Sequence, residues 1–271
     1  MFLENLKKKR ILILLIFIFF ITGCVKKIKE RLEEKPVITY VEKPAELLLQ
    51  DANRYLLKKN YILAAQTFEE IDKQHPYSKI VKKSKVMAAY AYYLDRDYNN
   101  SIFAIDRFIT LHPADKQLMP YVLYLKGLCY FDRINNVALD QDPSENTKKV
   151  FQELIKKFPN SIYSKDAKKK ILIANDQLAA KEMNVGRYYQ QKNRHLAAIE
   201  RFKIVINDYN TTAQTPEALY RLTESYLSLG IIGEAKKTTA VLGYNFKESN
   251  WYKLSYDLFR KYGYKKNEKQ E

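Results

Sequence analysis

The chain has 271 residues, with 47 Lys and Arg against 31 Asp and Glu for a formal net charge of +16, and it holds 22 tyrosines, 7 glycines and 8 prolines. So little glycine and proline excludes a turn-rich β-fold and a low-complexity chain, and favours long helices packed through aromatic rings. Two cysteines exclude a disulfide framework.

In chain order, Lys7, Lys8, Lys9 and Arg10 precede an unbroken apolar run from Ile11 to Ile21. That run has 11 residues, where a membrane-spanning helix needs ~20, so it reads as an export signal rather than a permanent span. Ile21-Thr22-Gly23-Cys24 resembles a bacterial lipobox, although Leu and then Ala or Ser are commoner in its first two positions. Residues 1–23 are therefore predicted to be a cleaved signal peptide and Cys24 the lipid acceptor. Cleavage leaves 248 residues and removes four positive charges and one negative, which lowers +16 to +13. A balance so basic suggests nucleic acid in a cytoplasmic protein; export removes that partner and leaves anionic head groups, acidic protein surfaces or free carboxylates. Cys129, alone in an oxidising compartment, is predicted to be buried in a helix and neither catalytic nor a metal ligand.

Residues 24–44 read as the lipidated cysteine and a charged tether that ends at Pro44. Beyond it the chain repeats itself. Tyr61 to Pro76 and Tyr98 to Pro113 lie 37 residues apart and share a His-Pro ending. A period near 34 residues is the signature of tetratricopeptide helix pairs, with small residues at positions 8 and 20, an aromatic at 11, an apolar residue at 24 and proline at 32. Ala52, Tyr55, Ala64, Phe68 and Pro76 supply the first copy; Ala89, Tyr92, Ser101, Ile105 and Pro113 supply the second. A third starts at Gly127 and Tyr130 but reaches Phe151 and Pro159 eight residues late, which predicts an extended loop around Asn135 to Asp142. A fourth has Gly186, Tyr189, Ala198 and Phe202, with Asn210 in place of proline. A fifth has Tyr226 and Ala235, but Thr239 where an apolar residue is expected. Ser164 to Lys192 predicts one long helix that buries Ile171, Leu178, Met183 and Val185. Ser249 is predicted to cap a last helix whose Trp251, Leu254 and Leu258 close the open face. The expectation is an all-α solenoid of about five helix pairs with a capping helix over residues 45–263, and a polar tail over 264–271.

No Gly-rich phosphate loop, HExxH helix or GxSxG elbow is present, and the three histidines have no metal-ligand spacing. His75 and His112 occupy equivalent places before a turn proline and read as structural, and His195 reads as a surface residue at a helix start. Glu33-Glu34 and Glu69-Glu70 are adjacent in sequence, so on a helix they point about 100° apart and do not converge on a substrate. The expectation is a binding scaffold with no catalytic residue, cofactor or metal.

Several stretches in order resemble the outer-membrane assembly lipoprotein family BamD. They are Ala89-Tyr90-Ala91-Tyr92-Tyr93, Ala104-Ile105-Asp106-Arg107-Phe108-Ile109 running to His112-Pro113, Tyr121-Val122-Leu123-Tyr124 with Gly127-Leu128, Asp142-Pro143, and Phe158-Pro159-Asn160-Ser161. Tyr188-Tyr189, Ala197 to Arg201 and Glu217-Ala218-Leu219 extend the likeness over essentially the whole mature chain, while Asn210-Thr211-Thr212 and the basic C-terminal extension depart from it. The resemblance implies a periplasm-facing subunit of the β-barrel assembly machinery, held on the outer membrane by lipid on Cys24. Val25 after that cysteine agrees with the location. Implied partners are a BamA-like barrel subunit, accessory lipoproteins and unfolded outer-membrane proteins, with no nucleic acid. It also places docking to BamA on the C-terminal repeats, where Arg201 is the candidate contact. The concave face of the first three repeats is expected to hold the C-terminal segment of a barrel substrate. Tyr55, Tyr92 and Tyr124 would offer aromatic surface there, although the first two fall at core-packing positions; Lys58, Lys85 and Arg96 would supply positive charge. A secretin pilotin or a cell-wall synthesis adaptor would present the same kind of scaffold, and copurification separates these alternatives.

Overall fold

A computed structural model describes residues 42–137 and 139–267, and among them eleven α-helices and no strand. The signal segment, Cys24, nearly all of the tether and residues 268–271 lie outside the described residues. The folded unit begins at Pro44. Helices α1 (Ala45–Leu57) and α2 (Tyr61–Gln74) form the first pair, α3 (Val81–Leu94) and α4 (Tyr98–Leu111) the second, α5 (Met119–Phe131) and α6 (Asp142–Lys157) the third. The long α7 (Ile162–Gln191) pairs with α8 (His195–Asp208), α9 (Thr215–Ser228) pairs with α10 (Ile232–Asn245), and α11 (Asn250–Asn267) follows. Each helix packs on its sequence neighbours, as a solenoid of helix pairs requires. The predicted architecture is the observed one.

The repeat pattern is a packing rule. Phe68, Phe151 and Phe202 of α2, α6 and α8 are fully buried, and burying each ring contributes roughly 2–3 kcal/mol. Room for the ring comes from the small residue opposite. A Cβ built on Gly127 would lie 2.1 Å from the Phe151 ring, and one on Gly186 would lie 2.4 Å from Phe202. In the second pair a smaller Ile105 fills the place of the phenyl ring. There Ser101 Oγ, itself buried, donates to the Ala89 carbonyl at 2.8 Å and accepts from Cys129 Sγ at 3.2 Å. Cys129 is buried as predicted, and burial pushes its thiol up to about 11, which keeps it neutral and unreactive.

Turns repeat as faithfully as helices. Four of the five pairs are joined by three residues, and Lys59, Arg96, Asn193 and Gly230 hold the same left-handed place in them, with φ of 59°, 63°, 57° and 74°. Only Gly230 adopts that conformation without steric cost. Asp97 caps α4 by accepting from the Asn100 N–H at 3.1 Å. The third pair instead has the ten-residue loop 132–141. Buried Gln141 holds it together, its side-chain amide donating to the carbonyls of Leu139 at 2.9 Å and Val137 at 3.3 Å. At the far end of every pair, the second helix stops on a ring-bearing residue: His75, His112, Phe158, Tyr209 and Phe246 all have φ near −130°. Proline follows the first three and disfavours the helical region for the residue before it.

Three expectations change in detail. His195 is half-buried rather than on the surface, with a buried Nδ1 that has no partner. Ser249 does cap α11, its Oγ accepting from the Trp251 N–H at 3.2 Å, and Trp251 stacks on Tyr220 at 5.4 Å. Leu258 packs on the core with Phe259 and Tyr262, but Leu254 points to solvent. Residues 251, 255, 258 and 262 share one face of α11, and Leu254 lies about 70° from its centre. Thr239, at the apolar position of the fifth pair, is explained by a hydroxyl chain. Its Oγ1 lies 3.3 Å from Thr223 and 2.9 Å from Ser255, which ties α9, α10 and α11 together without orphaning a polar group.

Candidate partner-binding faces

From the second pair onward the first helices of adjacent pairs touch one another, α3 with α5, α5 with α7 and α7 with α9, and α9 touches α11 in the same way, whereas no comparable contact joins α2 to α4 or α4 to α6. Closer spacing of the first helices puts them on the inner, concave side of the curve. In the N-terminal half that side carries a tyrosine cluster. Tyr121 meets Tyr90 at 6.5 Å and Tyr163 at 5.5 Å, Tyr124 meets Tyr163 at 5.2 Å, and Tyr93 lies 6.5 Å from Tyr90 and 6.0 Å from Tyr98. All are half-buried, with one edge or face on solvent. Two of the hydroxyls are pinned: Tyr93 donates to Asp132 at 2.7 Å, and Tyr124 donates to Asp166, which also holds Lys170 at 3.0 Å. Burial and these carboxylates raise the phenols of Tyr93 and Tyr124, which therefore stay neutral. Such a floor presents stacking area at little conformational cost.

Tyr55, Tyr92 and Tyr124 are all half-buried; Tyr124 belongs to the tyrosine cluster, whereas Tyr92 lies on the other face of α3 beside Glu69, which with burial pushes its phenol up to about 12. Lys58 and Arg96 are exposed, and both stand at the turn end of successive pairs. Lys85 is not brought to them. Arg96 follows it by 11 residues, about 16 Å along α3. Its ammonium lies 2.7 Å from Asp72, which also accepts from Arg107 at 3.0 Å. With exposed Phe103 these groups line a shallow pocket framed by the second helices α2 and α4, away from the concave side. Arg201, on α8, donates to Glu182 of α7 at 3.1 Å and keeps 40% of its side chain exposed, so part of its guanidinium is open to a second acceptor.

Two features escaped the sequence reading. One is the tyrosine cluster, whose only trace is the three-residue spacing of Tyr90 with Tyr93 and Tyr121 with Tyr124. The other is a charged row in the C-terminal half: Glu217 accepts from Arg187 at 3.0 Å and from Arg221 at 3.3 Å, and Arg221 reaches Glu224 at 3.2 Å. Arg221 also lies over the rings of Tyr220 and Trp251, at 5.6 and 6.0 Å. Among the described residues no His, Cys, Asp and Glu group is arranged to hold a metal, and no helix is long and apolar enough to cross a membrane.

Three proteins named outer membrane protein assembly factor BamD are similar along most of their length. The Caulobacter vibrioides protein is 42% identical over 243 residues, covering 90% of this chain and 78% of its own. The Rickettsia prowazekii protein is 42% identical, covering 81% and 87%, and that of Neisseria meningitidis serogroup A is 35% identical, covering 75% and 80%. Residues 41–242 match the family YfiO, outer membrane lipoprotein, and with these relatives the match shows that the chain belongs to the BamD family.

Proposed function

We propose that this protein is a non-enzymatic scaffold of the outer-membrane β-barrel assembly machinery, anchored by lipid on Cys24 with its solenoid in the periplasm, and that it binds a BamA-like barrel subunit and unfolded barrel substrates. The observation that carries this reading is identity of 42% over most of the chain to proteins named assembly factors. The concave aromatic face, which presents stacking area, supports a binding role. Substrate docks on the N-terminal half: an extended C-terminal segment lays aromatic side chains on Tyr90, Tyr121 and Tyr163. Lys58 and Arg96 attract its carboxylate, while Lys85, engaged by Asp72, positions α3 against α2. Arg201 receives a carboxylate of the barrel subunit beside the one it already holds.

A photoreactive peptide that copies the C-terminus of a barrel protein tests the substrate half. It should crosslink within residues 45–130 and 163, weaken when its carboxylate is amidated, and weaken as salt rises, because exposed charges are screened over ~8 Å at physiological ionic strength. Equal labelling by a scrambled, amidated peptide removes the groove. For the docking half, Arg201→Ala should lower copurification of the barrel subunit while Glu182→Gln, which frees the arginine, preserves it; unchanged copurification of Arg201→Ala removes that residue from the interface.

A further inference from the structure

The long helix α7 is half covered. Its residues 162, 165, 169, 172, 176, 179, 183 and 186 follow one another at alternating spacings of three and four, which aligns them as a single ridge along the helix. On the C-terminal half of that ridge Ala179, Met183 and Gly186 are buried, with the Phe202 ring of α8 seated on Gly186. Asp176 marks the limit of coverage, accepting from the Ala213 N–H of the α8–α9 turn at 3.1 Å. Beyond it the ridge is bare. α8 has 14 residues, about 21 Å, and cannot follow the 30 residues of α7, about 45 Å.

The uncovered half is neither polar throughout nor neutral. Ile162 is 73% exposed, Leu172 55% and Ile173 50%. Lys165 and Lys169 sit between them, both exposed and neither in a salt bridge, although Lys169 adds to the field that holds Asp166 ionised; Lys157 and Lys170, in contrast, are paired with Glu153 and Asp166. Three aliphatic side chains on one helix face, around two exposed ammonium groups that form no salt bridge, make a surface on which another helix packs when it brings apolar residues flanked by carboxylates. Among the described residues no segment of this chain covers it.

We propose that the bare ridge of α7 at Ile162, Lys165, Lys169 and Leu172, with Ile173 beside it, is a docking site for an acidic amphipathic helix of a partner protein, which continues along α7 the packing that α8 begins. This rests on the assembly-scaffold reading above, but it uses a face other than the concave one and other than Arg201. The partner helix lays its aliphatic stripe on Leu172 and Ile162, and its Asp or Glu side chains meet Lys165 and Lys169.

The test uses the full lipidated protein in its own cells, with Ile162 or Leu172 replaced in turn by photoreactive p-benzoylphenylalanine. Irradiation should give one polypeptide adduct, whose crosslinked peptide carries at least two carboxylates within a helical turn of the attachment point. Lys165→Glu with Lys169→Glu should cut the adduct yield at least fivefold, and replacing the mapped carboxylates by lysine should restore it. Lys236→Glu with Lys247→Glu, an exposed charge change elsewhere, should leave it unaltered. An adduct to lipid, to a second copy of this chain or to a peptide without acidic residues overturns the proposal, as does a yield indifferent to the charge reversal or the absence of an adduct. These failures leave copurification through Arg201 intact, so they are distinguishable from failure of the assembly reading.

Discussion

Gly186→Ala should destabilise the fourth helix pair, although alanine is the better helix former. Gly186 lies inside α7, where alanine gains about 1 kcal/mol of helix propensity. Against that gain, its Cβ would stand 2.4 Å from Cε1 and 2.8 Å from Cδ1 of Phe202, where ordinary contacts begin near 3.4 Å. The ring cannot retreat, because it is fully buried among Ala179, Met183, Ala198 and Val205. Overpacking of this kind costs about 1–3 kcal/mol, and a contact this short inside a helix takes the upper end, so after the helix gain is subtracted a net loss of about 2 kcal/mol is expected. Thermal unfolding followed by circular dichroism should show it as a fall of roughly 4–8 °C. Phe202→Leu alone should also destabilise, by opening space, but combined with Gly186→Ala it should cost less than the sum of the two, with a coupling of at least about 1 kcal/mol. Additive losses, or a Gly186→Ala protein as stable as the parent, would refute the claim that the small residue exists to admit the ring.

Arg96→Gly should raise stability by roughly 0.5–1 kcal/mol, measured by urea unfolding, since φ of 63° is strained for arginine and free for glycine. Tyr124→Phe should cost about 1 kcal/mol, at the low end for a bond to a charged group because Asp166 is 43% exposed. Asp166 is held below the usual carboxylate range, first by the Tyr124 hydroxyl and then by Lys170, and Asp115 is held there first by the Leu118 N–H and then by Lys82. A lowered folded pKa contributes stability that is present above the unfolded value and lost as pH falls through the folded one, so Asp115→Asn and Asp166→Asn should each flatten the acid limb of a stability–pH curve below about pH 4. Cys129 should stay unlabelled by Ellman's reagent at pH 8 in the folded protein and react fully in denaturant. Cys24→Ser should release the protein from the outer membrane; full retention there would sink the lipid anchor.

The family and the architecture were legible in the sequence because a solenoid is built from local rules. Ala52 with Phe68, Gly127 with Phe151 and Gly186 with Phe202 sit within one helix pair, so their spacing is readable along the chain, as is the delay of Phe151 that announces the 132–141 loop. The length of α7 was legible for the same reason. What joins residues from different pairs was not. Tyr90, Tyr121 and Tyr163 lie 31 and 42 residues apart and meet only because first helices close up on the inner side of the curve. Charge offered no guide to position: Lys58, Lys85 and Arg96 look alike in sequence, yet Asp72 draws Lys85 into an ion pair on the other side of α3. The three–four spacing of the α7 ridge was written in the sequence, whereas which half of it α8 covers is decided by where a 14-residue helix ends against a 30-residue one.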